Sequence, residues 1–331
     1  MKLLRLLLCG IAALAALVYS LRFGAVTLSL NDVIQLLNPA LPEEPDMALY
    51  HKIVWSLRLP RALLAMTCGG GLALAGAVLQ TLTRNPLADP WLLGISSGAG
   101  LGAVVIIALG IQPLLTAIPS GAFAGAMCAF GLVLLLAGLA VTQPARFILS
   151  GVAVGQLLSA LTSLIVFWQT DSTTSRGFTF WLLGAFGQAT WAQVAICATA
   201  LFFVGALCLA MSPTLNVMAL GNVAAKGLGV NVIALQISLY LAITLLTATL
   251  VSFCGAIGFV GLTVPHLAKL IIGNRHQWVL PASILCGAML TLVSDTLART
   301  LFSPRELPPG IITALIGVPV FLFALHRRPN P

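Results

Sequence analysis

Long apolar runs, separated by short polar or Pro/Gly/Asn/Asp clusters, repeat along the whole chain. Ten stand near residues 3–22, 61–82, 91–111, 117–141, 147–168, 191–211, 232–253, 257–273, 279–302 and 309–326. An α-helix needs roughly 20 apolar residues to cross a bilayer. Lipid also requires every backbone polar group to be paired internally, which leaves helices or closed barrels. The runs are too long for barrel strands and lack period-two alternation. They predict an all-α polytopic membrane protein with ten transmembrane helices. The eighth run is the shortest and most glycine-interrupted. Two connections exceed a turn, 23–60 and 169–190, and in the second Phe178–Phe186 (FTFWLLGAF) could form a half-inserted helix.

The stretch Gly69–Gly102 departs from a generic span. Two glycine-rich apolar runs flank a hinge, Thr83-Arg84-Asn85-Pro86-Leu87-Ala88-Asp89-Pro90, whose prolines and asparagine favour a turn. Gly94, Gly98 and Gly102 follow at intervals of four, so on a helix they form one flat stripe that another backbone can approach closely. The pattern predicts a tightly packed helical hairpin with its tip at a membrane surface.

Composition narrows the class. Of 331 residues 60% are hydrophobic and 7% charged, with a mean hydropathy of +1.07, whereas a soluble domain carries about 25% charged residues. No polar stretch is long enough for a second domain, so residues 1–331 read as a single transmembrane domain. The formal net charge of +8 is a topology signal. Cytoplasmic loops carry the Lys/Arg excess. With the N-terminus inside, nine Lys/Arg face the cytoplasm against Asp89 alone, while seven face outward against seven acids. Both termini are then cytoplasmic, as are the hinge and the loop 212–231, and nucleic acid is not implied. The seven cysteines lie in apolar runs without C-x-x-C spacing and read as small hydrophobes. The basic, apolar N-terminus resembles a signal peptide, but its cleavage signature is weak and an uncleaved first span is favoured.

Candidate chemistry is sparse. No G-x-x-x-x-G-K-[ST] occurs, so this chain does not hydrolyse nucleotide itself. Gly94-Ile95-Ser96-Ser97-Gly98 formally matches G-x-S-x-G, with His266 as a conceivable base for an intramembrane serine hydrolase, but no strand precedes the serine and packing explains the glycines. The four histidines show no ligand spacing, so no metal site is expected. Asp295 and Arg299 are four apart and can pair on one helix face. Midplane acids, which an ion-coupled secondary transporter would need, are not found. Arg58-Leu59-Pro60-Arg61 places two guanidiniums at the outer mouth of the second span, as interfacial anchors or as a carboxylate-binding pair for a soluble partner. In the loop 212–231, Asn222–Leu228 is helix-permissive and Gly229 is placed to stop it.

Together these stretches closely resemble the permease subunits of ATP-binding-cassette (ABC) importers for iron-siderophores, haem and cobalamin. The resemblance runs from about Val26 to Arg328. It is carried by RLPR at 58–61, GGGLALAGAVLQTLTRNPLADPWLLGISSGAG at 69–100 and ALGNVAAKGLGV at 219–230. GAIGFVGLTVPHLAKL at 255–270 continues it, with DTLART and ELPPGIITALIGVPVF towards the end. The family fold has ten helices per subunit with both termini cytoplasmic. The resemblance implies a second permease subunit, identical or homologous, a separate ATPase pair that carries ATP and Mg2+, and a periplasmic or lipoprotein substrate-binding protein. This chain itself is expected to bind no cofactor. The resemblance assigns binding-protein docking to Arg58, Arg61 and Arg299. It assigns ATPase coupling to Gly221, Asn222, Ala225, Lys226, Leu228 and Gly229, with Asn222 standing where the family often has an acid. Asn85 and Leu87 resemble a cytoplasmic gate; of a second gate only Arg146 persists, in Pro144-Ala145-Arg146. An iron chelate is the expected cargo, ahead of haem and then of cobalamin or an oxyanion, and a bacterial cytoplasmic membrane is the expected location.

Overall fold

A computed structural model describes residues 1–24, 26–38, 45–138, 142–168, 181–303 and 305–326, and every regular element among them is helical. The first is α1 (Lys2–Ser20), followed by the short α2 (Leu30–Leu36) and by α3 (Pro45–Ile53). A π-helical turn, Val54–Arg58, joins α3 to α4 (Leu59–Thr83). A 3-10 turn, Pro90–Leu93, then leads into α5 (Ile95–Ala108), α6 (Leu114–Ala137) and α7 (Pro144–Trp168). After α8 (Trp191–Ala210) come two short helices, α9 (Ser212–Met218) and α10 (Asn222–Gly227). The chain ends with α11 (Val232–Cys254), α12 (Val260–Ile272), α13 (His276–Thr300) and α14 (Pro309–His326).

A helix stands in each of the ten apolar runs. Among the described residues, seven stretches are long and apolar enough to cross a membrane by length and composition; Ile95–Ala108, Val260–Ile272 and Pro309–Phe323 are shorter. The first shortfall has a local cause. Pro90–Leu93 forms a 3-10 turn capped by left-handed Gly94 (φ 71°), so α5 begins at Ile95 rather than near 91. In the second, Gly255–Phe259 is irregular and α12 starts only after Phe259, itself left-handed at φ 67°. Irregular backbone of this kind is tolerated at membrane depth where protein covers it, and here Ala185 N–H donates to the Cys254 carbonyl (2.9 Å).

The connection 23–60 is more ordered than its sequence suggests. Ser29 and Asp32 form a capping box that starts α2, and α3 runs through the π turn into α4, so Met47–Thr83 is one long apolar stretch. Pro60 sits in the first turn of α4. Lacking an N–H and crowding the preceding turn, proline disfavours a straight helix there, and the π turn absorbs the mismatch. In 169–190 only the part from Trp181 on is described: a helical turn at 181–182, with Phe186 buried. Of the half-inserted helix expected at Phe178–Phe186, residues 178–180 lie outside the described residues, and within 181–186 only 181–182 are helical.

α4 is the axis of the core. Nearly all of it is buried, and α8, α11, α12 and α13 pack around it. Gly69 abuts Gly287 and Thr291 of α13, and Gly76 abuts the Gly261 backbone of α12. Polar side chains bridge the same helices. Thr291 Oγ1 donates to the Ala65 carbonyl at 2.7 Å, and Gln80 Nε2 to the Gly261 and Leu262 carbonyls at 3.2 Å each. A second close pair is α5 on α6. A Cβ at Gly98 would run into the Gly125 carbonyl and Ala129, and one at Gly102 into the Gly121 carbonyl. Gly94 does not share that face, because it precedes α5 and lies against Gly151 and Gly155 of α7.

Gly98→Ala should therefore force α5 from α6 and cost about 1–3 kcal/mol, the usual range for overpacking. Gly131→Ala on α6, with nothing within 4 Å of the added methyl, should be neutral or slightly stabilising. Thermal unfolding of the detergent-solubilised protein compares the two; equal midpoints would show that the α5–α6 seam yields to a methyl without strain.

Candidate functional site

Near the start of α4 a buried carboxylate organises the charges. Asp295 on α13 is fully buried. Arg61 donates to it from Nε (3.0 Å) and Nη2 (2.9 Å), the forked geometry that suits a guanidinium. Arg299 Nε lies 3.1 Å from the second oxygen, and its Nη1 donates to the Phe23 carbonyl. Arg61 Nη1 reaches Glu306 (3.0 Å), which is half exposed in the α13–α14 connection. Arg58 is only 7% exposed. Its guanidinium donates to the Leu21, Arg22 and Val26 carbonyls and so ties the α1–α2 connection to the π turn.

The three arginines expected to dock a binding protein stand in different surroundings. Arg58 lies under protein, with its guanidinium bonded to three carbonyls. Arg61 and Arg299 are occupied by Asp295, and Arg61 meets the surface where Glu306 covers it. Arg305 and Glu306, in the α13–α14 connection, are exposed.

At the other end of α4 the hinge is a built turn. Arg84 closes the helix in a left-handed conformation (φ 49°). Asn85 Oδ1 accepts the Leu87 N–H (2.9 Å) and Asn85 O accepts that of Ala88 (3.1 Å), an Asx-type turn. Asp89 caps the 3-10 turn by accepting from Trp91 N–H (2.8 Å). Burial raises the Asp89 carboxyl to about 6, against the opposing pull of the Trp91 and Leu262 amides. Leu87, Asp89, Trp91 and Leu92 form one wall of a cavity of about 370 Å3, faced by Leu182, Leu183, Phe259, Leu262 and Ala314. Of the expected gate residues, Leu87 reaches this cavity and Asn85 shapes the turn behind it. Arg146 is exposed on the first turn of α7 and does not line the cavity.

The loop 212–231 forms α9 and α10. Gly221 (φ 111°) and Gly229 (φ 82°) bracket α10 with left-handed backbone that other residues rarely adopt. Ala225 is the buried residue of α10, while Lys226 and Leu228 are exposed. Leu220, Val223 and Leu228 are 73%, 87% and 66% exposed, an apolar surface on an otherwise polar loop. Asn222 turns inward and donates from Nδ2 to the Thr142 carbonyl (3.1 Å), which links α10 to the start of α7.

Among the described residues no group of three or more His, Cys, Asp or Glu is placed to hold a metal ion. Ser96 is buried, and neighbouring Ser97 accepts a hydrogen bond from Ser159 of α7 (3.1 Å). His266 donates from Nδ1 to the Leu262 carbonyl and packs edge-on against Phe321. Several elements of these sites carry little signal in the sequence. Asp89 is readable as a cap from its place before Pro90-Trp91, but the cavity it faces is not. The pairings of Asp295 with Arg61 and of Asn222 with Thr142 join residues 234 and 80 positions apart.

The model of the FecCD transport family matches residues 12–327. The hemin transport system permease protein HmuU of Yersinia pestis is 39% identical over 286 residues, 85% of each chain. The Fe(3+)-citrate import system permease protein YfmE of Bacillus subtilis is 36% identical over 327 residues, 98% of this chain and 95% of that one. The vitamin B12 import system permease protein BtuC of Serratia proteamaculans is 40% identical over 275 residues, 83% and 82% of the two chains. An inward-facing solved structure assigned to the metal-chelate type of ABC transporter superposes with a TM-score of 0.86 at 31% identity, covering 98% of this chain and 99% of that one. Neither a self-contained ion-driven carrier nor a serine hydrolase fits this company. The chain belongs to the FecCD transport family: it is a multi-pass membrane permease subunit of an ABC importer, not itself catalytic, working within a complex that implies ATPase and binding-protein partners.

Proposed function

We propose that this permease forms half of a translocation pathway for an iron chelate, a siderophore complex or haem. A binding protein would deliver the cargo at the outer rim, and an ATPase pair seated on Ser212–Asn231 would drive its passage. In this reading ten helices cross the membrane with both termini in the cytoplasm. α5 and α12 cross as helix plus irregular segment, since 14 and 13 residues make only about 20 Å of helix. The inner side then carries the Lys/Arg excess, and Leu87 narrows the inner end of the pathway. A second permease subunit, a copy or a homologue, completes it.

The observation that carries the reading is α10. A short helix held between two left-handed glycines, anchored by Ala225 and presenting Leu220, Val223 and Leu228 to the aqueous side, fits a cleft on a soluble partner. Lys226 beside them suits an acidic rim. Iron chelates are favoured as cargo because the hemin and ferric citrate relatives match long stretches of both chains. The vitamin B12 relative makes cobalamin the second reading.

Two outcomes test this. Val223→Asp with Leu228→Asp should release the ATPase subunit, weakening the complex at least about tenfold, while leaving the unfolding temperature of the isolated permease unchanged; co-purification with a tagged ATPase reads this directly. Retention of the ATPase by the double variant would move its seat elsewhere. At the outer rim, Glu306→Gln should uncover Arg61 for an acidic partner and tighten binding-protein docking, most visibly at low salt. Asp295→Asn, by contrast, leaves two buried guanidiniums without their carboxylate and should destabilise the fold by about 3–5 kcal/mol. Docking unchanged by Glu306→Gln would make Arg61 an internal brace.

A further inference from the structure

One imidazole joins three segments that are remote in sequence. His276, the first residue of α13, is buried. Its backbone N–H (3.0 Å) and its Nδ1 (2.7 Å) both reach Asn216 Oδ1 on α9. Its Nε2 lies 2.7 Å from Thr81 Oγ1, three residues before the hinge begins at Arg84. A carboxamide oxygen only accepts, so Nδ1 carries the proton; Nε2 of the neutral ring is left as an acceptor for the one Thr81 hydroxyl proton, which the Ala77 carbonyl at 2.9 Å also competes for. Arg275, in the N-cap position of α13, contributes no side-chain bond, and Asn216 supplies that cap from another element.

The connections on either side give the cluster its meaning. α9 leads directly into Gly221 and α10, and its Leu215 and Met218 are buried in the core. α4 leads directly into the hinge at Arg84, whose guanidinium lies 3.2 Å from the place of a Cβ on Gly221. Apolar contacts of α9 with the core could slide by a fraction of a turn. Two short hydrogen bonds to one ring, out of water, fix both distance and direction.

We propose that Asn216, His276 and Thr81 form a positioning relay that makes the inner ends of α13 and α4, and so the hinge, move with the cytoplasmic segment 212–229. The proposal rests on the reading of α10 as the ATPase seat. None of the three residues touches cargo or nucleotide; they act by holding α9, α13 and α4 at a fixed relation.

The test uses the complete transporter in lipid vesicles, with ATP hydrolysis measured with and without its binding protein. In His276→Phe the ATPase should stay bound and basal hydrolysis should stay within about twofold, while stimulation by the binding protein falls at least about fivefold, the lower end of typical coupling between sites. Thr81→Val, nearly isosteric, should shift the ratio the same way by less. His276→Gln, which keeps a donor and an acceptor, should restore at least about half of the stimulation. A merely structural role lowers both rates together and leaves their ratio unchanged, which would overturn the proposal. So would a wild-type ratio in Thr81→Val, which decides the matter if His276→Phe does not assemble. Failure of the ATPase seat is read separately, by retention of the ATPase in the Val223→Asp, Leu228→Asp permease.

Discussion

Lipid tails are as apolar as leucine, so helices in a bilayer gain little from hiding leucine against leucine. What holds them together is close packing and the polar contacts that close packing permits. α4 is built on that constraint. Its Gly69 and Gly76 let α13 and α12 approach at backbone distance, and Thr291 and Gln80 then reach carbonyls on the facing helices. The glycines come first in this order of cause. With a methyl at either position the helices part, and the hydrogen bonds that depend on their separation lengthen.

The same helix carries polar clusters near both ends, and they differ in kind. Near its N-terminal end is an ionic knot, in which Asp295 bridges Arg61 and Arg299 and Glu306 supplies the second negative charge. Near its C-terminal end is a neutral network of Thr81, His276 and Asn216. A buried ion pair loses heavily if one member leaves, so the knot favours a fixed joint between α4 and α13. The neutral network joins α4 to α13 and α9 through directional hydrogen bonds instead of charge.

Helix positions were legible in the sequence because length and apolar character are local properties. Gly98 and Gly102 could be read as a packing stripe, and Gly125 and Gly121 stand opposite them. Gly94 broke the pattern because Asp89 and Pro90 set up a 3-10 turn that Gly94 caps in a left-handed conformation, which takes it off the helix. The capping box of Ser29 and Asp32 was readable but was hidden by the polarity of its loop. The burial of Arg58 was not readable: an Arg-Leu-Pro-Arg run looks the same whether its first guanidinium meets solvent or the carbonyls of residues 21, 22 and 26. Nor was the His276 cluster, since its partners lie 60 and 195 residues away.

The π turn at Val54–Arg58 has an effect on azimuth. One residue out of step with 3.6 per turn is about 100° of rotation, so α3 and α4 share an axis but present differently phased faces. Upstream of the turn, Tyr50 packs with the cluster around Val33 and Leu36; downstream, the buried face of α4 meets α13 and α12. Trp55, within the turn, donates to the Leu36 carbonyl at 2.8 Å and accepts on its own carbonyl the Trp191 indole N–H of α8 at 2.9 Å. The turn thus acts as a fixed gear offset. It lets a single continuous helix mesh with the α2 cluster at one phase and with α12 and α13 at another, and axial movement of α4 would carry that cluster with it without a hinge between them.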